Sequence, residues 1–71
     1  MPNEKKIKAR IVELGLTIGI LADEMGLSAY TLGQKISGKS PMTLKEARYL
    51  KDRLNIADEE VVLYFFIRQV A

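Results

Sequence analysis

The chain has no cysteine and no histidine among its 71 residues. Without cysteine it holds no disulfide and no thiolate metal site. Without histidine it has no Ser-His-Asp triad, no imidazole acid or base and no imidazole metal ligand. Tryptophan is missing too, and three tyrosines and two phenylalanines are all the aromatics, so an aliphatic core is expected. Long apolar runs are also missing. The longest, Val61 to Ile67, is seven residues, where a bilayer crossing needs roughly 20, so no membrane partner is expected. No apolar stretch follows the basic N-terminal residues, which predicts no secretory signal and a cytoplasmic protein.

Catalysis has little to work with. Asp23-Glu24 and Glu59-Glu60 are adjacent pairs, and adjacent side chains diverge on a helix. A substrate pocket would consume much of so small a core. The expectation is a binding module: no enzyme, no cofactor, no metal and no small-molecule substrate.

What is present suits one folded domain over 1–71. Hydrophobic residues make up 48% and charged residues 28%, a balance that separates the chain from disordered sequences. The net charge of +2 is unevenly spread. Lys5, Lys6, Lys8 and Arg10 face a single acid, Glu4, in the first ten residues. Lys35, Lys39, Lys45, Arg48, Lys51 and Arg53 outnumber Glu46 and Asp52 in the middle, while Asp58-Glu59-Glu60 is wholly acidic. The basic stretches read either as a phosphate-facing surface or as ordinary solvated helix faces.

The apolar spacing is helical, and glycine and proline punctuate it. Five short helices are predicted, over about 3–15, 17–25, 28–37, 43–54 and 58–67. Asn3 caps the first, with Ile7, Ile11 and Leu14 on one face. Thr17 caps the second, where Leu21, Ala22 and Met25 share a face, and Ser28 caps the third, with Leu32 and Ile36 inward. Gly15, Gly26 and Gly38 end these three. Thr43 and Glu46 form a reciprocal capping box for the fourth, which is expected to bury Leu44, Ala47, Leu50 and Leu54. Asp58 is expected to cap the last. The run 61–67 also has strand-like composition, but its acidic start favours a helix. The fold class expected is an all-α bundle. A domain this size has a thin stability margin, and Val62, Phe65 or Phe66 could supply a homodimer surface.

The segment from Thr17 to Gly38 is the informative one. A short helix ends at Gly26, a tight turn follows, and Ser28 opens a second helix. Glycine permits the positive φ that such a corner needs. Ala22 is small where the two helices would cross, and Leu21, Leu27 and Leu32 would fill the wedge between them. The string Gly15-Leu16-Thr17, Leu21-Ala22, Gly26-Leu27-Ser28, Thr31-Leu32 and Lys35-Ile36-Ser37-Gly38-Lys39 resembles the helix-turn-helix of the Cro and lambda-repressor (XRE-type) family, and its ending, with Phe65-Phe66, is similar to the small phage-encoded branch.

The resemblance implies a lambda-repressor-like fold and a sequence-specific DNA-binding transcriptional regulator whose third helix enters the major groove of a double-stranded operator. Carried onto this chain, the DNA-facing set is Thr17, Ser28, Ala29, Tyr30, Thr31, Gly33, Gln34, Lys35, Ser37, Lys39 and Ser40. Gln34 suits a paired hydrogen bond to adenine. Tyr30 suits a phosphate or a thymine methyl, and Lys39 and Ser40 suit backbone phosphate.

Several residues depart from that pattern. Ile18 stands where the family usually has a polar phosphate contact, and Gly19 and Ile20 follow it. Ala29 and Gly33 replace longer side chains on the reading helix, and Lys35 stands where an aliphatic residue is common. Ile18 and Ile20, two apart, cannot both turn inward. An exposed apolar turn marks a partner surface. This favours a second reading: an antirepressor that binds a phage repressor's DNA-binding domain through Ile18, Gly19, Ile20, Tyr30, Gly33 and Gln34 and modulates the lysis–lysogeny switch.

Overall fold

Asn3, Thr17, Ser28 and Thr43 each sit at the end of an extended stretch, where each turns its side-chain oxygen onto the amide three residues ahead. The accepted bonds come from Lys6 at 3.2 Å, Ile20 at 3.1 Å, Thr31 at 3.0 Å and Glu46 at 3.1 Å. Each satisfies an amide that the first turn of a helix leaves without an internal partner. The computed structural model describes residues 2–66. The four helices so opened are α1 (Glu4–Glu13), α2 (Ile18–Met25), α3 (Ala29–Ile36) and α4 (Leu44–Arg53). A single 3-10 turn, Asp58–Glu60, leads into α5 (Val61–Phe65). No strand occurs among the described residues, so the fold is a small all-α bundle. The predicted bounds took in the caps, and each helix proper is shorter by those residues.

The first four helices end by one device. The residue after the last turn adopts a left-handed φ: 70° at Gly15, 72° at Gly26, 83° at Gly38 and 57° at Asn55. The next residue's amide then reaches five residues back. Leu16 donates to Ile11, Leu27 to Ala22, Lys39 to Gln34 and Ile56 to Lys51, all at 2.8–3.0 Å. This satisfies carbonyls that the last turn would leave unpaired. At three of these ends the reaching residue is apolar and packs on the core: Leu16, Leu27 and Ile56. At the end of α3 it is Lys39, which is exposed.

The core gathers Ile7 and Ile11 from α1, Leu21 and Ala22 from α2, Leu32 and Ile36 from α3, Leu50 and Leu54 from α4 and its end, then Ile56, Tyr64 and Phe65. It is aliphatic apart from the last two. Burying each large side chain contributes roughly 1.5–3 kcal/mol. A hydrogen bond from the Asn3 backbone amide to the Tyr64 carbonyl, 2.8 Å, ties α5 to the start of α1.

Five expectations are corrected. Leu14, read as part of the inner face of the first helix, is the residue at which α1 ends and is exposed. Leu44 is 69% exposed. It lies on the stripe of Ala47, Leu50 and Leu54, but at the first turn, beyond the edge of the core. There it borders an open apolar trough of about 490 Å³ with Pro41, Met42, Phe65 and Phe66. Asp58 caps nothing: its turn is 3-10, and its carboxylate lies 2.8 Å from the Lys51 ammonium. The expected helix over 58–67 is α-helical only over Val61–Phe65. Within that run Tyr64 and Phe65 are buried while Val62, Leu63 and Phe66 are exposed, and Ile67 lies outside the described residues. Phe65 is therefore no candidate for an exposed dimer surface. No helix among the described residues is long and apolar enough to cross a membrane.

Candidate nucleic-acid interface

α2 and α3 pack on each other through buried side chains. Leu21 and Leu32 are fully buried, and Ala22, at 1% exposure, is the small residue between them. The joint is Gly26-Leu27-Ser28. Gly26 takes the left-handed φ that a residue with a Cβ adopts at a cost of roughly 1–2 kcal/mol, and Leu27 tucks partly under it. The pair is thus held from within, which leaves its outer surface free for recognition.

That surface opens at Ser28. Its hydroxyl accepts from the Thr31 amide and donates to the Thr31 hydroxyl at 2.9 Å, so both groups lie at the outer start of α3. Ser28, Ala29 and Tyr30 are exposed, Tyr30 to 75%. Thr31, Gly33 and Gln34 are half-buried. A Cβ built on Gly33 would meet no atom within 4 Å. At the start of α2, Thr17 and Gly19 are exposed. Ile18 is half-buried against the core while Ile20 is 43% exposed. The helix period thus divides the two isoleucines, and of the two only Ile20 stands outward.

After α3 the chain folds back on the helix end. The Gln34 carbonyl accepts from the Ser37 hydroxyl at 3.0 Å, the Lys39 amide at 2.9 Å and the Ser40 amide at 3.2 Å. Lys39 is exposed and Ser40 half-buried. Glu4, whose carboxyl is held below its usual value first by the Lys8 ammonium, also feels the field of Lys39. Gly38 and Ser40 border the same trough as Pro2, so the loop lies near the start of α1.

Lys35 differs from the rest of the set. Its ammonium points inward, 3.0 Å from the Glu46 carboxylate on α4 and 3.1 Å from the Pro41 carbonyl. Ser37 likewise spends its hydroxyl on the Gln34 carbonyl. Other cations from the basic middle stretch are also engaged. Lys51 pairs with Asp58, and Arg53 grips Glu24 of α2 through Nε at 2.9 Å and Nη2 at 3.1 Å. Tyr49 donates its hydroxyl to the same carboxylate. Arg10 holds the Leu54 carbonyl at 2.8 Å. Lys39, Lys45 and Arg48 are exposed and form no ion pair among the described residues. Lys45 was not singled out from the sequence, although its place in the first turn behind the Thr43 capping box put it on the surface.

The engaged acids are electrostatically fixed. Arg53, then Tyr49, holds the Glu24 carboxyl below its ordinary value despite some burial. Burial pushes Glu46 up, but the Thr43 amide and the Lys35 ammonium outweigh it and hold that carboxyl low. Both are ionised at neutral pH, and both clamp α4: Glu24 to the end of α2, Glu46 to the end of α3. No group of three or more acids capable of holding a metal occurs among the described residues.

No protein-family model, no curated protein and no solved structure matches the chain.

Proposed function

We propose that the protein is a sequence-specific DNA-binding transcriptional regulator of the phage Cro or repressor type, with α3 as the reading helix of a helix-turn-helix. The observation that carries this is the α2–α3 pair itself. It is sealed inside by Leu21, Ala22 and Leu32, turned at Gly26, and left open along Ser28, Ala29 and Tyr30, with Gln34 half-buried beside them and Lys39 exposed beyond the helix end. In the major groove Gln34 suits an adenine edge and Tyr30 a thymine methyl or a phosphate. Thr17, Ser28, Lys39 and Ser40 flank the helix where phosphates run. Lys45 adds a cation near the same loop.

A second reading is favoured by Ile20 and Tyr30, both outward on that face. An antirepressor that covers a phage repressor's DNA-binding domain would bury both.

One titration separates the two: wild type and Ile20→Lys against duplex DNA from the protein's own control region, over a range of salt, with and without the neighbouring repressor. For a DNA binder the added cation tightens binding, and the log–log salt slope steepens by about 0.9. For an antirepressor wild type binds the repressor, the lysine removes that binding, and neither protein shifts the duplex. Ile18→Lys is a poorer probe because Ile18 packs on the core. Wild type that binds neither duplex nor repressor refutes both readings.

A further inference from the structure

The end of α3 lacks what the other three helix ends have. After Gly15, Gly26 and Asn55 an apolar residue follows and anchors the turn in the core, whereas after Gly38 the residue is the exposed Lys39. Something else must hold this loop, which runs six residues from Ser37 to Met42 before the Thr43 cap. Two groups do so. The Gln34 carbonyl collects the three donors of Ser37, Lys39 and Ser40, and Gly38 donates to the Lys35 carbonyl at 3.2 Å. On the far side the Lys35 ammonium spans from α3 to the Pro41 carbonyl and to Glu46. The same Glu46 oxygen accepts from the Thr43 amide at 2.9 Å. One cation thereby ties the end of α3, the far end of the loop and the first turn of α4. Lys35 and Glu46 side chains are only 15% and 19% exposed, so water screens the tie weakly.

We propose that Lys35 is a positioning residue. It fixes the Ser37–Met42 loop so that Lys39 and Ser40 stand in set register with α3, and it does not itself touch phosphate. What the loop is for rests on the DNA-binding reading. How it is held does not. Ordering the loop in the free protein removes a cost that binding would otherwise bear. A lysine at this position therefore serves recognition through Lys39 rather than directly.

The test uses Glu46→Gln in the full chain. Glutamine keeps an oxygen for the Thr43 amide and suits the capping box, but it withdraws the charge that holds Lys35. Amide exchange at Gly38, Lys39 and Ser40 should quicken about tenfold relative to Leu54 and Ile56, whose amides report the rest of the fold. Lys35→Met should do the same and Lys35→Arg should restore protection. Unchanged exchange in both Glu46→Gln and Lys35→Met overturns the proposal, whether or not the protein binds DNA.

With a generic duplex as probe, Glu46→Gln should weaken binding and flatten the log–log salt slope by up to about 0.9. Combined with Lys39→Ala it should weaken binding no further than Lys39→Ala alone. If Lys35 were a phosphate contact, freeing it from Glu46 would instead tighten binding and steepen the slope, which overturns the proposal. A wild type with no duplex affinity removes the DNA-binding reading and the task assigned to Lys39, and quickened exchange at the loop would still uphold the tie.

Discussion

Gly33 is the fifth of the eight residues of α3, where a glycine has no backbone reason to be. Its φ is not positive, and an added Cβ would meet nothing within 4 Å. A mid-helix glycine costs about 0.8–1 kcal/mol relative to alanine, through backbone freedom that the unfolded chain keeps. Gly33→Ala should therefore stabilise the isolated protein by nearly that amount. In a domain of this size such a gain raises Tm by about 4–8 °C, readable in a thermal melt followed by circular dichroism. Binding should move the other way. If α3 lies against a base edge or a partner helix, the methyl enters a filled space, and overpacking costs about 1–3 kcal/mol, equivalent to roughly 5- to 150-fold in affinity. A variant that is more stable and binds worse is the signature of a glycine kept for close approach. No rise in Tm would refute the claim that the site is open in the free protein. A rise in Tm with undiminished affinity would remove Gly33 from the contact surface.

Two further expectations concern stability. Glu24 and Glu46 have carboxyls held below their ordinary value of 4.5 by Arg53 with Tyr49 and by Thr43 with Lys35. Each releases its proton more readily folded than unfolded, so its contribution is complete above the ordinary value and is lost as pH falls through the lowered folded one. Urea midpoints should therefore fall as the solution is acidified below about pH 5; Glu24→Gln should lower the neutral-pH midpoint and flatten that decline, and an unchanged acid slope would show that the Arg53 clamp is not formed. Asn55 holds φ 57°, the one non-glycine residue with positive φ among those described. Asn55→Ala should destabilise by about 1 kcal/mol and Asn55→Gly by none or less than none, measured in the same urea series; equal loss in both would mean the side chain matters and the backbone angle does not.

Helix starts were legible because a cap is a local event. Asn3, Thr17, Ser28 and Thr43 each need only an amide three residues away, so spacing alone finds them. Three helix ends were legible for the same reason, through glycine. The fourth was not, because Asn55 does the work of a glycine, and without that stop the apolar Ile56 reads as loop rather than core. Leu44 shows another limit. Periodicity tells which stripe a residue joins, but where the stripe runs off the core depends on which elements pack beside it. The run 61–67 has no period, and only the Tyr64 carbonyl meeting Asn3 and the packing of Tyr64 and Phe65 decide which of its side chains turn inward. Lys35 is the plainest case on the candidate surface. A lysine beside Gln34 reads as a phosphate contact until the carboxylate eleven residues on is seen to face it.

The apolar start of α2 was the strongest sequence argument against DNA, and its geometry changes its weight. Residues two apart stand about 200° apart around a helix, and Ile18 takes the inner position. The departure from a polar phosphate-facing turn thus reduces to Gly19 and Ile20. Gly19 has no side chain to hold a phosphate off, and Thr17 occupies the Ile20 amide but leaves those of Ile18 and Gly19, which the first turn cannot pair internally. Such amides favour anions. Ile20, already partly sheltered, has only part of the roughly 1.5–3 kcal/mol of a full burial left to gain from a protein partner. On these grounds the proposed DNA reading has more support from this face than the proposed repressor reading. The repressor reading rests on Ile20 and Tyr30 gaining together what neither gains alone, which is why a single lysine at position 20 divides the two.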